Sequence, residues 1–443
     1  MNNKLSKEYN FIALLKFALP SIVMMIFVSM YTMVDGFFVS RFVGTDALSA
    51  VNFVYPMQSI VVGIAVMFAT GGCAIVSFNQ GEGRADLANR NFTLICASAL
   101  IIGITFITFV LCNGETLMLL LGADEVILPY TLEYLQPLLL LLPFSILQLL
   151  FQSFFISAGK PLLGLALTII SGVTNMILDY VFIVPLDMGI AGAAYATGIG
   201  FSIPAIVGIV FFFSNKKGLH FTRFSFDLNV IKRSAFNGSS EMVTNLSNSV
   251  ITILFNFFMI KFLGSDGIAA ITVVLYAQFL MIGLFLGYSI GVAPIISYHH
   301  GSGNIAYVKK IIKYSLIFIS CASVLITLIS YTSAENLAHI FSGDNAHVAS
   351  LSTEGLHLFS VAFLFTGINV FGSSLFTALS NGLFSALLSF SRTFFFTVIG
   401  IYGLSYLMGY QGLFLAIPFA ECVSFIFASY LLYSVLSGKY KLL

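Results

Sequence analysis

Apolar positions in this chain do not alternate with polar ones; they run together and stop at short polar clusters. A run of about 20 apolar residues is what an α-helix needs to cross hydrocarbon. Such runs predict spans near 11–38, 50–79, 91–112, 128–157, 162–184 and 189–213. A second set follows near 235–262, 271–299, 311–331, 351–379, 384–408 and 411–437. Membrane barrel strands would be shorter and alternating. The pattern therefore predicts an all-α polytopic membrane protein of twelve transmembrane helices in two six-helix lobes. The first lobe covers 1–213, a linker 214–233 and the second lobe 234–443.

The two sets are one unit written twice. Gly44, Gly63, Gly71, Gly81 and Gly83 return 220 residues later as Gly264, Gly283, Gly291, Gly301 and Gly303. The same offset joins Phe42 to Phe262, Asp46 to Asp266, Gln58 to Gln278 and Ser77 to Ser297, and near the ends Gly189 and Gly192 to Gly409 and Gly412. A duplicated membrane unit predicts two packed bundles with something held between them.

Composition removes the soluble alternative: 59% of residues are hydrophobic, 8% are charged, and mean hydropathy is +1.01, against about 25% charged in soluble domains. Basic residues set the orientation. With the N-terminus cytoplasmic, one side carries Lys4, Lys7, Lys16, Arg84, Arg90, Lys160, Lys216, Lys217, Arg223, Lys232 and Arg233, joined by Lys309, Lys310, Lys313, Lys439 and Lys441. The other side holds Arg41 and Lys261 and collects Glu115, Asp124, Glu125, Asp187, Glu335 and Asp344, while Arg392 falls inside a span. Both termini are thus expected in the cytoplasm, with the chain in a bacterial plasma membrane and the basic linker on anionic headgroups. A net charge of +1 gives nucleic acid no electrostatic foothold.

Several functions lack their signatures. No Gly-x-x-x-x-Gly-Lys-Ser/Thr loop is present, so ATP does not drive this chain directly. No His-Glu-x-x-His occurs, and His299-His300 reads as structure at a helix end. Gly81-Glu82-Gly83 and Gly301-Ser302-Gly303 read as tight turns. Cys73, Cys96, Cys112, Cys321 and Cys422 lack metal-ligand spacing and read as small core residues. No cleavable signal peptide is expected, because the first apolar stretch is long and lacks a small-residue cleavage site. An enzyme is not expected, nor a cofactor.

Chemistry then rests on acids inside the spans, where a charge is costly and marks a functional candidate. Asp35 lies in span 1, as a cation ligand or an interfacial acid. Asp179 lies in span 5 with Asn175 four residues earlier on the same helical face, as a cation ligand or a capping acid. Thr197 can add a hydroxyl from span 6. Two carboxylates, an amide and a hydroxyl suit a small cation; in a dry site both acids cannot stay ionised cheaply, so a proton serves as well as Na⁺. Na⁺ at Asp35 and Asp179 is the one metal ion so expected. Glu241, early in span 7, reads equally as substrate contact or as structure at the cytoplasmic mouth. Gln58 and Gln278 are either cavity-facing amides or helix–helix hydrogen bonders. Arg392 and Glu421, in spans 11 and 12, are expected to pair. The 47 Phe and 14 Met would suit lipophilic cationic small molecules wherever they line a cavity.

These residues together resemble the multidrug and toxic compound extrusion (MATE) family, closest to its MepA-type branch. The resemblance covers essentially the whole chain. It is carried by Leu19-Pro20, Val34-Asp35-Gly36-Phe37-Phe38-Val39, Val43-Gly44-Thr45-Asp46-Ala47-Leu48, Asn175 to Asp179 and Gly189-Ile190-Ala191-Gly192-Ala193-Ala194, then by Phe262-Leu263-Gly264 and Gly291 to Gly303. It implies lobes related by a pseudo-two-fold axis along the membrane normal, and export of organic cations by antiport with H⁺ or Na⁺. It also implies a cation site at Asp35, Asn175, Asp179 and Thr197, and a bending proline at Pro20. The second cation site of some relatives, on acids of spans 7 and 10, is not expected here: span 10 has only Glu354, at its outer end, and Glu241 sits too early. A monomer is expected. The alternative is a lipid-linked oligosaccharide flippase of related architecture, although Arg392 is nearly alone as an intramembrane base. A major-facilitator symporter would carry an Asp-Arg-rich loop where this chain reads Asn-Gln-Gly-Glu-Gly-Arg-Ala-Asp. A receptor or scaffold would need no intramembrane carboxylates.

Overall fold

Each apolar run closes its backbone hydrogen bonds internally, the solution hydrocarbon imposes. The computed structural model of the chain describes residues 4–38, 42–43, 45–121, 127–342 and 345–439, without the side chains of 35–38, 45–49, 52, 341 and 342. Arg41, Gly44, Asp124, Glu125, Asp344 and Lys441 therefore lie outside the described residues, as does the side chain of Asp35. Among the described residues there is no strand. The first lobe comprises α1 (Phe11–Phe38), α2 (Thr45–Gly81), α3 (Ala85–Leu120), α4 (Ile127–Ser157), α5 (Pro161–Ile183) and α6 (Gly189–Ser214). After the linker helix α7 (Leu228–Asn237), the second comprises α8 (Ser239–Gly301), α9 (Ile305–Thr332), the short α10 (Ala334–Ser342), α11 (Ala346–Ser360), α12 (Phe363–Ala378), α13 (Gly382–Phe390), α14 (Phe396–Met408) and α15 (Tyr410–Ser437).

Two departures from the predicted spans have physical reasons. At 63 residues α8 would be about 95 Å long at about 1.5 Å per residue, three times a bilayer core. Gly264 breaks it, with φ 66° and ψ −147°, so spans 7 and 8 meet at one glycine rather than across a loop. Predicted span 10 is α11 and α12, bent by 57°. With the bent pair as one span and α8 as two, twelve spans result. Three cysteines also depart from expectation: Cys73 and Cys96 are buried, but Cys112, Cys321 and Cys422 are exposed, on outer faces that hydrocarbon would cover as readily as a core.

The duplication is visible in the backbone. Gly83 and Gly303 share a left-handed φ (78° and 73°), as do Gly189 and Gly409 (56° and 64°). The lobes meet through α1 on α8 and α2 on α8, and the contacts obey the same offset. Ser249 donates to Ser59 at 3.3 Å, and its counterpart Ser29 donates to the Phe279 carbonyl at 3.2 Å. A Cβ at Gly81 would lie 1.9 Å from the Tyr298 carbonyl oxygen; one at Gly301 would lie 2.1 Å from that of Phe78. Only glycine admits this crossing. One hydrophobic core is built from α2 to α6; the other is the second lobe's, and Leu14, Phe17, Ala18 and Ile22 of α1 belong to it. Helix α1 is thus shared between lobes.

Both ends of the described chain lie where Gly81 and Gly301 cross: Asn304 donates to Glu8 at 2.8 Å, and Lys309 Nζ would stand 3.6 Å from a Cβ at Gly438. Residues 4–10 strap that end. Leu5 is fully buried, the Tyr9 N–H donates to the Tyr307 hydroxyl, and that hydroxyl donates to the Tyr9 carbonyl at 3.1 Å. Tyr307→Phe removes both bonds. At roughly 1 kcal/mol each, their loss is expected to speed amide exchange over residues 5–10 about tenfold or more, read by mass spectrometry.

Candidate functional site

Helix α5 is polar on its buried face. Gly164, Thr168, Ser171, Gly172, Asn175 and Asp179 recur at three- and four-residue steps and are all buried, while Ile170, Ile177 and Tyr180 face outward. A membrane helix turns its small and polar residues inward because lipid covers apolar ones at no cost. The small residues let neighbours close in. A Cβ at Gly172 would stand 2.6 Å from Phe27 and 3.0 Å from Tyr31 of α1; one at Gly200 of α6 would stand 3.2 Å from Asn175 Cβ. Ser171 donates to the Gly200 carbonyl at 2.7 Å. These contacts fix α5 between α1 and α6.

On that frame Asp179 is 0% exposed and Asn175 is 4% exposed. Asn175 Nδ2 lies 3.4 Å from Thr197 Oγ1, so the structure brings Asn175 and Thr197 together across α5 and α6, with Asp179 one turn further along the same face. Asp35 follows Tyr31 by one turn of α1; its side chain lies outside the described residues. Pro20 is buried in an unbroken α1. Without an N–H it leaves the Lys16 carbonyl unmatched within the helix. Around it the backbone of α1 seats on α8, where Cβ atoms at Gly287 and Gly291 would meet Ile22 Cα at 2.5 Å and Ala18 Cα at 3.2 Å. Further out, Phe27 and Tyr31 seat on α5.

The second lobe holds a chamber lined by Tyr55 from α2, Thr244, Asn248 and Thr252 from α8, and also Gln278, Phe279, Arg392, Thr397 and Glu421. Its floor adjoins a smaller cavity at the lobe interface, walled by Thr70, Cys73, Ser153, Glu241, Ser289 and Thr377; Leu286 lines both. Gln278 faces the chamber and Glu241 the smaller cavity, while half-buried Gln58 lines neither. Glu241 stands in the first turn of α8, and Glu241, Thr244, Asn248 and Thr252 form one polar stripe along it.

Arg392 and Glu421 pair as expected, at 3.1 Å, with 9% and 3% of each residue exposed. Asn369 holds the other carboxylate oxygen at 2.6 Å. How the arginine is aimed is not legible in the residue pattern. Residues Ser391–Phe395 form a π-turn, the Phe396 N–H reaching back five residues to the Ser391 carbonyl, and Thr397 Oγ1 donates to the Arg392 carbonyl at 2.8 Å. Such turns displace side chains from the regular helical face and gather at functional sites. Removing one partner of a buried pair costs about 3–5 kcal/mol, whereas replacing both by apolar residues is close to neutral. Glu421→Ala is therefore expected to lower the thermal unfolding midpoint in detergent clearly, and Arg392→Met with Glu421→Leu to leave it near wild type.

A family model described as MatE matches residues 20–181 and 242–402, both halves of the duplication. The chain is 25% identical to the multidrug export protein MepA of Staphylococcus saprophyticus over 379 residues, 82% of either chain. It is 23% identical to the MepA of Staphylococcus haemolyticus over 433 residues, covering 96% of this chain and 94% of that one. Among solved structures it superposes on a multidrug resistance MATE transporter in an outward-facing conformation, with TM-score 0.91, 19% identity and 98% of each chain covered. It superposes equally on a MATE protein in complex with MaL6, with TM-score 0.90, 20% identity and 96% of each chain covered.

Proposed function

Because this chain belongs to the MatE family, we propose that it exports lipophilic organic cations by antiport against H⁺ or Na⁺. It is an integral membrane protein and a multidrug efflux transporter of the MepA type; the substrate charge, the coupling ion and the residues are our reading. The observation that carries it is the fully buried Asp179 on a face of α5 that it shares with Gly164, Thr168, Ser171, Gly172 and Asn175. An acid buried within a membrane span is costly and is a functional candidate for that reason. Binding a cation or a proton is the function such a group serves best. Asp35, Asn175, Asp179 and Thr197 form the coupling site, with the Asn175 nitrogen turned to Thr197 and its carbonyl left for the cation. Gln278 and Glu241 contact substrate from the second lobe; Gln58 contributes only if the lobes move. Pro20 is the hinge of α1, between its seat on the second lobe and its seat on α5.

Coupling needs only that ion and substrate favour different arrangements of α1 or compete for one carboxylate. The excess of Lys and Arg at the terminal end supports a cytoplasmic placement in a bacterial plasma membrane, so that the closed end faces the cell. A single chain with both lobes is the working unit. A flippase gains no support from the chamber, where the basic side chain among the described lining residues, Arg392, is paired with Glu421. The test is ethidium efflux from cells under imposed Na⁺ or proton gradients. Efflux that follows one gradient and vanishes in Asp35→Asn is expected, and names the ion. Normal efflux in Asp35→Asn, or none under either gradient with the protein in the membrane, rejects the reading.

A further inference from the structure

The charges on the chamber walls can be counted. Among the described residues, Arg392, Glu421 and Glu241 are the basic and acidic side chains that line the chamber or the cavity beneath it. Two of the three cancel: Arg392 and Glu421 stand at 3.1 Å, and Asn369 engages the remaining carboxylate oxygen. Glu241 makes no contact with the pair, and the charge of Arg392 reaches it only through space. Its carboxylate makes no hydrogen bond or ion pair among the described residues, while its backbone carbonyl accepts from Asn245. Around it stand neutral hydroxyls and a thiol, including Ser289, which is 2% exposed with its oxygen unpartnered. The walls therefore sum to one negative charge, placed at the floor where the two cavities join.

We infer that Arg392 sets the valence of the substrate: by pairing in contact with Glu421 it leaves Glu241 as the one acid on these walls without a contacting partner, and so leaves a place for one positive charge. The inference rests on the reading that the chamber takes organic cations and deepens it to monocations. In a space lined by protein, each unit of mismatch between ligand and wall charge is felt at low dielectric. A dication leaves one charge unanswered, and a neutral compound leaves Glu241 unanswered. The π-turn at Ser391–Phe395 has a role on this view, since it aims Arg392 at Glu421 and away from lipid. Specificity would then come from an element that repels the wrong ligand as much as from one that attracts the right one.

The test is equilibrium binding to the purified full chain in lipid nanodiscs, so that it does not depend on coupling. Bound ethidium is displaced by a mono-quaternary and by a bis-quaternary alkylammonium of equal chain length. Arg392→Gln takes the walls from one negative charge to two, and is expected to raise the ratio of dication to monocation affinity by at least about tenfold. Glu421→Gln takes them to zero and is expected to weaken the monocation by at least about tenfold. The double variant Arg392→Gln with Glu421→Gln restores one negative charge, and is expected to return both affinities to within about threefold of wild type, a residue for lost packing. That return separates valence from a merely structural role, since the double variant has lost the whole pair. A double variant that behaves like either single one, or singles with unchanged ratios, overturns the inference. If one single variant does not reach the membrane, the other single and the double decide it by the same comparison. Ethidium bound with this charge dependence but not exported would overturn the antiport reading and leave the valence rule standing.

Discussion

Asp179→Asn is expected to reduce gradient-driven ethidium efflux to the level of cells without the protein, while the amount in the membrane stays unchanged. Asparagine keeps the shape of the side chain and its capacity to accept a hydrogen bond. It loses the negative charge and the exchangeable proton, and either coupling scheme needs one of those two. The loss should exceed about a hundredfold in initial rate, the scale on which removing a charge-compensating group from a dry site acts. Stability is expected to move the other way. Asp179 is 0% exposed, and a neutral amide avoids most of the cost of a buried carboxylate. The thermal unfolding midpoint in detergent should therefore hold or rise as transport collapses, the trade expected where a site is retained for function at the expense of stability. A structural acid would show the opposite, a lower midpoint with transport falling only in proportion to the protein lost.

What made Asp179 legible was the medium. In a chain with 8% charged residues, an acid inside an apolar run stands out, and Asn175 four residues earlier shows which way the helix turns. The Arg392–Glu421 pair was legible for the same reason, two opposite charges in adjacent spans with nowhere else to go. Spans were legible from run length, and the lobes from an offset that the backbone repeats at Gly83/Gly303 and Gly189/Gly409. Other features depend on what the sequence does not carry. The unbroken passage across Gly264 looked like a loop because Gly-Ser-Asp-Gly is polar, yet a single left-handed glycine turns the chain. The π-turn at Ser391–Phe395 and the bend between α11 and α12 are decided by what packs against them. The chamber is a space between helices, so no run of residues announces it; Gln278 and Glu241 could be named as candidates, but not the cavities they face.

Gly81→Ala and Gly301→Ala are expected to disable the transporter by holding it open at the terminal end. In each case the new methyl would stand about 2 Å from a carbonyl oxygen of the opposite lobe, 1.9 Å at Tyr298 and 2.1 Å at Phe78. Those oxygens belong to helical backbone and cannot swing aside, so the lobes themselves must separate. Overpacking of this kind costs typically about 1–3 kcal/mol and sometimes more; at 3 kcal/mol an equilibrium between closed and open arrangements moves more than about a hundredfold. The native thiol of Cys73 reports it. Cys73 is 5% exposed and lines the cavity at the lobe interface, where Ser157 Oγ lies 2.8 Å from its sulfur. In the wild type it should react slowly with a thiol reagent supplied at the terminal end, and in either alanine variant at least about tenfold faster, read site by site by mass spectrometry. Gly63→Ala serves as the control, because a Cβ there meets Met242 Cγ at 3.4 Å, Met242 Cα at 3.7 Å and Asn245 Cβ at 3.9 Å, all ordinary contacts. Unchanged Cys73 reactivity together with normal efflux in Gly81→Ala would mean that the crossing yields without opening, and that the gate lies elsewhere along α2 and α8.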